Sequence, residues 1–156
     1  MTLQFTSTLD TSYRDALEEL LFFHPHQGRF SSGIIGTVER HGSPRIVAEQ
    51  GTLRVQLGKR AEAQTVYALV KAGATSELAG IIIFTRSQNE LILLHIAVKE
   101  KYTARGSQAD ADVTFWLIEE LRRIAHRIHG VHGVRLAYNR GRKLLTTMRP
   151  TLANGC

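Results

Sequence analysis

Apolar and polar positions fall in blocks along the chain, and the clearest block spans residues 91–128. It opens with an apolar run, residues 91–98, passes through a polar stretch, 99–108, and ends in a longer segment of spaced apolar residues, 109–128. A continuous apolar run of that length reads as a strand buried on both faces. In the last part Val113, Leu117, Leu121, Ile124 and Ile128 recur at three- and four-residue steps. That spacing is the stripe of one helix face, and Trp116, Ile118 and Ala125 widen it. Gly130 supplies the stop, because glycine tolerates the left-handed conformation common just past a helix end. The block therefore predicts buried strand, polar loop and helix.

The flanking pattern adds further elements. Residues 3–7 read as a short strand. A helix follows, with Ser12 and Asp15 as a capping box and Tyr13, Leu17, Leu20 and Leu21 on one side. It should end at His24, since Pro25 disfavours helix in the residue before it. Residues 28–36 are rich in Gly and Ser and read as loop or irregular edge. Residues 33–40 and 45–57 read as two extended segments around a turn at 41–44. Residues 58–64 are a linker or a single helical turn, and 65–71 a strand, with a short helix as the alternative because Ala, Glu and Gln just before it favour helix. Residues 72–77 read as a turn, 78–86 as a strand rich in β-branched and aromatic residues, and 87–90 as a hairpin loop. Beyond the long helix, 131–138 is another strand, 139–143 a basic turn, and 144–148 a single helical turn stopped by Pro150.

A length of 156 residues suffices for one domain with a real core, expected over residues 1–150 with 151–156 as a tail. No apolar stretch approaches the roughly 20 residues of a membrane helix, so no membrane partner is expected. The first residues lack a secretory pattern. The single cysteine, Cys156, excludes an internal disulfide and suits a reducing, cytoplasmic setting.

Charge is distributed unevenly. The net charge is +6, yet all 14 acids lie at or before Glu120, and the 8 Lys and Arg after it face none. That basic C-terminal block attracts anions, nucleic acid among them, or is simply a solvated face. His24 and His26 flank Pro25 and read as a polar loop. His126, His129 and His132 are interrupted by Gly130, so no metal site is assigned.

The polar loop carries the candidate chemistry. The first N–H groups of a helix have no partner within it and mark the positive end of the helix dipole. A loop with Gly106 and Ser107 ahead of such a start can hold a phosphate group; it is also what an ordinary strand-to-helix turn looks like.

The order and spacing of these pieces resemble the GNAT-type N-acetyltransferase superfamily over residues 65–139. The resemblance rests on Leu78-Ala-Gly80-Ile-Ile, similar to a strand with a glycine near its start. It rests also on Leu94-His-Ile-Ala-Val98-Lys-Glu-Lys-Tyr102, similar to the family's fourth strand, and on Arg105-Gly106 in the place of the pyrophosphate loop. Gly130 through Asn139 is similar to the fifth strand. The resemblance implies an α+β, acyl-CoA N-acyltransferase-like fold, with a central, mostly antiparallel sheet flanked by helices and a trimmed C-terminal end. It implies acetyl-CoA as co-substrate and an unknown small-molecule or protein amine as acceptor. Ile96 and Val98 would face the pantetheine through their backbones, Arg105, Gly106, Ser107 and Gln108 the phosphates, and Asn139 the CoA arm. Glu90 or His95 would serve as base and Tyr138 as acid.

Three departures accompany the resemblance. Only the first glycine of the family's Gln/Arg-x-x-Gly-x-Gly/Ala loop is in place, in Thr103-Ala-Arg-Gly106-Ser-Gln108. Asp110 and Asp112 bring negative charge to the helix start. The strands normally found after Asn139 have too few residues left to form, and an uncovered sheet edge predicts a homodimer. Two other functions compete with an N-acetyltransferase: a non-catalytic relative with a regulatory or assembly role, and a nucleic-acid-associated module using Arg122, Arg123, Arg127, Arg135, Arg140, Arg142, Lys143 and Arg149.

Overall fold

Apolar side chains fill every position but one from Leu78 to Phe84, the exception being Gly80, and this run forms the middle of the longest strand. The structure, a computed structural model, describes residues 1–22, 44–57, 63–136 and 143–145. In chain order the elements are β1 (Thr2–Thr6), β2 (Leu9–Asp10), a 3-10 turn η1 (Thr11–Tyr13), α1 (Arg14–Phe22), β3 (Pro44–Glu49) and β4 (Thr52–Leu57). There follow β5 (Gln64–Ala72), β6 (Thr75–Ser87), β7 (Glu90–Val98), the 3-10 turns η2 (Glu100–Tyr102) and η3 (Ala109–Ala111), α2 (Val113–Arg127), β8 (Gly133–Leu136) and β9 (Lys143–Leu145). The protein is thus α+β.

Among the described residues six strands form the main sheet in the order β1-β5-β6-β7-β8-β9, and β2-β4-β3 form a second, smaller sheet. Every pairing in the main sheet is antiparallel except β7 with β8, which run parallel with Glu90 opposite Gly133 and Leu93 opposite Leu136. Parallel neighbours need a crossover, and α2 provides it. α2 packs Val113, Leu117, Leu121 and Ala125 on one sheet face, against Val66, Ile82, Leu91 and Leu93. The other face, with Tyr67, Ile81, Ile83 and Leu94, is covered by Leu17, Leu20 and Leu21 of α1 and by Leu53, Val55 and Leu57 of β4.

Three register shifts shape the main sheet among the described residues, the last where β9 meets Val134 and Arg135 of β8. Ala79 is the extra residue against β5, and Leu94 the extra residue against β6. Beside the first shift lies Gly80. A Cβ there would stand 2.9 Å from Leu117 Cδ1 and 3.2 Å from the Ala97 carbonyl. The glycine lets α2 seat directly on the sheet.

Several expectations change. Residues 45–57 are not one extended segment but the β3–β4 hairpin, turned at Gln50 (φ 50) and Gly51 (φ 78). Two left-handed residues make the turn type that matches strand twist. Asp10, not Ser12, caps the first helical segment, its carboxylate accepting from Ser12 N at 2.8 Å. Leu144 and Leu145 belong to strand β9 rather than to a helical turn, because β8 offers them a ladder. Trp116 is 43% exposed instead of widening the core stripe. α2 begins at Val113, four residues later than expected, with η3 preceding it. The expected features at residues 23–43, 58–62, 137–142 and beyond 145 lie outside the described residues. No described helix is long and apolar enough to cross a membrane.

Candidate functional site

The segment joining β7 to α2 carries most of the chemistry expected from the sequence. It leaves β7 at Val98, whose buried side chain packs over Gly80, and Lys99 N donates to Ala79 O at 2.8 Å. η2 follows and buries the Tyr102 ring in the core under α2. The chain then folds back on itself. Gly106 N donates to Thr103 O at 2.9 Å, and Gln108 N to Lys101 O at 2.7 Å. A Cβ on Gly106 would overlap the Glu100 carbonyl and stand 2.5 Å from that of Lys101, so glycine is required by packing alone. Asp112 closes the segment as the N-cap of α2, its carboxylate accepting from Phe115 N at 3.3 Å.

These contacts decide which donors remain. Of the four residues expected to face phosphates, Gly106 and Gln108 direct their N–H groups inward. Arg105 and Ser107 are exposed, and neither N–H meets an acceptor among the described residues. The start of α2 already holds a carboxylate, that of Asp112.

The candidate bases occupy different places. Glu90, at the start of β7, accepts from Arg135 Nε at 3.1 Å, an ion pair that ties β7 to β8. His95 is half-buried opposite Ile83, on the face covered by α1. At about 3.3 Å per residue the two lie roughly 15 Å apart along the strand, so one reacting atom cannot meet both. His95 is the nearer to the loop. Ile96 lies between them and the loop and packs toward α2. Tyr138 and Asn139 lie outside the described residues.

A polar cluster at the loop's base was not foreseen. Glu77 of β6 accepts from Lys99 Nζ at 2.8 Å, Lys101 Nζ at 2.7 Å and Tyr102 Oη at 2.7 Å. Desolvation pushes the Glu77 carboxyl up, but hydrogen bonds from Lys101, Lys99 and Tyr102 outweigh it and bring it down to about 2. The sequence held half the signal, Lys99-Glu-Lys101-Tyr102. Its partner lies more than 20 residues away and is found only once the β6–β7 register sets Gly80 opposite Val98.

The basic block is largely self-neutralised where it is described. Arg122 pairs with Glu119, Arg123 and Arg127 pair with Glu120, and Arg135 pairs with Glu90. Lys143 contributes backbone pairing to β9, and Arg140, Arg142 and Arg149 lie outside the described residues. Among the described residues no group of three or more His, Cys, Asp or Glu could hold a metal ion. No protein family and no curated protein matches the chain.

Proposed function

We propose that the chain is an acyl-CoA-dependent N-acetyltransferase acting on an amine, with an acyl-CoA N-acyltransferase-like fold. The observation that carries this reading is the parallel β7–β8 pair bridged by α2, after an antiparallel β5-β6-β7 run with an extra residue at Leu94. It is the element order on which the resemblance rests. Acetyl-CoA supplies the activated acyl carbon. His95 takes the proton that the acceptor ammonium must lose, and Tyr138 protonates the departing thiolate. Arg105 and the N–H groups of Arg105 and Ser107 receive the phosphates. The backbones of Ile96 and Val98 face the pantetheine, and the resemblance assigns Asn139 to the CoA arm. Among the described residues the main sheet ends at β1 and β9, and edges seek partners, which supports a homodimer; a monomer by light scattering at micromolar concentration overturns that part.

A second reading, a non-catalytic relative, is favoured by the inward N–H groups of Gly106 and Gln108 and by the Asp112 carboxylate at the helix start. Nucleic-acid binding has no specific observation in its favour: Arg122, Arg123, Arg127 and Arg135 face carboxylates, and Arg140, Arg142 and Arg149 lie outside the described residues. Calorimetric titration with acetyl-CoA at two salt concentrations, beside Arg105→Glu, separates the first two. Arg105 is exposed, so the variant leaves the core intact. Saturable micromolar binding, weakened about tenfold or more in the variant, supports the enzyme. No heat from folded protein leaves the non-catalytic relative.

A further inference from the structure

Among the described residues, strand lengths leave a gap at one corner of the main sheet. β1 ends at Thr6, which pairs with Tyr67, whereas β5 begins three residues earlier, at Gln64. The first residues of β5 therefore extend past their neighbour. A cleft of about 280 Å³ opens there, between β5, β4 and the chain leaving β1. It lies at the end of the sheet away from the β7–α2 loop, because Gln64 is level with Phe84 while the loop leaves beside Gly80.

The cleft is two-sided in chemistry. Val66, Phe84 and Ile124 give it an apolar wall. Tyr67, Thr65 and Arg54 give it a polar one. Tyr67 is 1% exposed; its hydroxyl donates to the Leu53 carbonyl at 3.5 Å, the outer limit of a hydrogen bond, and the Thr65 side chain is its other polar neighbour. The Leu53 contact is long, so a closer acceptor competes with it for the hydroxyl proton. Burial pushes the phenol up to about 12, against the opposing influence of Thr65 and Arg54, so at neutral pH it is a proton donor. Arg54 pairs with Glu49 at 3.3 Å, but both side chains are 58% exposed. Such a surface pair contributes little and yields readily to a better-placed anion.

We propose that this cleft binds a small carboxylate with a short apolar tail. The carboxylate takes hydrogen bonds from Arg54, Tyr67 and Thr65, and the tail passes the uncovered edge of β5 toward Val66, Phe84 and Ile124 on the other sheet face. The site is separate from the β7–α2 loop, and it stands or falls independently of acetyl-CoA binding.

The test uses pentanoate as probe and pentylamine, of matching chain length, as control. Binding to the whole chain is followed by calorimetry and ligand-observed NMR at pH 7, beside Tyr67→Phe and Arg54→Gln. Arg54 is exposed, so its variant folds even if Tyr67→Phe is destabilised; circular dichroism checks both. Saturable binding of pentanoate is expected, with pentylamine at least tenfold weaker. Each variant should weaken pentanoate about tenfold, Arg54→Gln also flattening its salt dependence. No saturable binding by folded wild type, equal binding of the amine, or an unchanged affinity in Arg54→Gln overturns the proposal.

Discussion

The backbone N–H of Gln108 donates to the carbonyl of Lys101 at 2.7 Å, and Gly106 lies within the loop that this bond closes. The neighbours a Gly106 side chain would meet are backbone atoms of Glu100 and Lys101, which cannot swing aside as a side chain can. Gly106→Ala should therefore cost about 1–3 kcal/mol through overpacking. Ser107→Ala, one residue on and exposed, should stay within about 0.5 kcal/mol. Urea denaturation of both variants checks this, and equal midpoints would contradict the packing described.

Glu77 gives the loop a pH dependence. Its folded value, about 2, lies below the ordinary 4.5, so its contribution is complete above about pH 4.5 and is lost as pH falls toward 2. The carboxylate is 35% exposed, so solvent screening discounts the effect, and Glu77→Gln should cost about 1 kcal/mol at neutral pH. Denaturation at pH 6 and at pH 3 should show wild type losing more stability than Glu77→Gln over that interval. Parallel losses would mean that the three hydrogen bonds do not hold the carboxylate.

Gly80 and Leu117 form a coupled pair. Leu117 is fully buried, so Leu117→Ala should cost about 2–5 kcal/mol. Gly80→Ala drives a Cβ toward Leu117 Cδ1 and the Ala97 carbonyl and should cost about 1–3 kcal/mol. In the double variant the new methyl enters space that Leu117 vacates. The combined loss should fall short of the sum by about 1 kcal/mol in a double-mutant cycle. Strict additivity would separate the two residues.

Much of this architecture was legible because it rests on local patterns. The run at 91–98, the spacing of Val113, Leu117 and Leu121, and the stop at Gly130 (φ 80) each encode their element directly. The Gln50–Gly51 turn was missed because glutamine is not a usual left-handed residue. Trp116 was misplaced because helical spacing locates a stripe but not its width, and the core takes Val113 and Leu117 while Trp116 lies against Phe115, ring centroids 5.2 Å apart. The candidate site was legible only in its loop. Glu90 with Arg135, and Glu77 with Lys101, meet through strand register, which no local signal carries.

Asp112 sets the helix cap against phosphate binding. Its carboxylate accepts from Phe115 N and so stabilises the start of α2; Asp112→Ala should cost about 1 kcal/mol. The same carboxylate puts negative charge where the pyrophosphate would lie, so its removal should tighten acetyl-CoA binding about threefold at low salt. Salt screens such an interaction, and the gain should shrink as ionic strength rises. Trp116, the single tryptophan, lies in the first turn of α2 and reports both events by fluorescence, unfolding in urea and ligand approach in a titration. Lower stability with tighter binding would put the phosphates at the α2 start. Lower stability with unchanged affinity would mean that the cap is purely structural, and would shift the balance toward the non-catalytic relative.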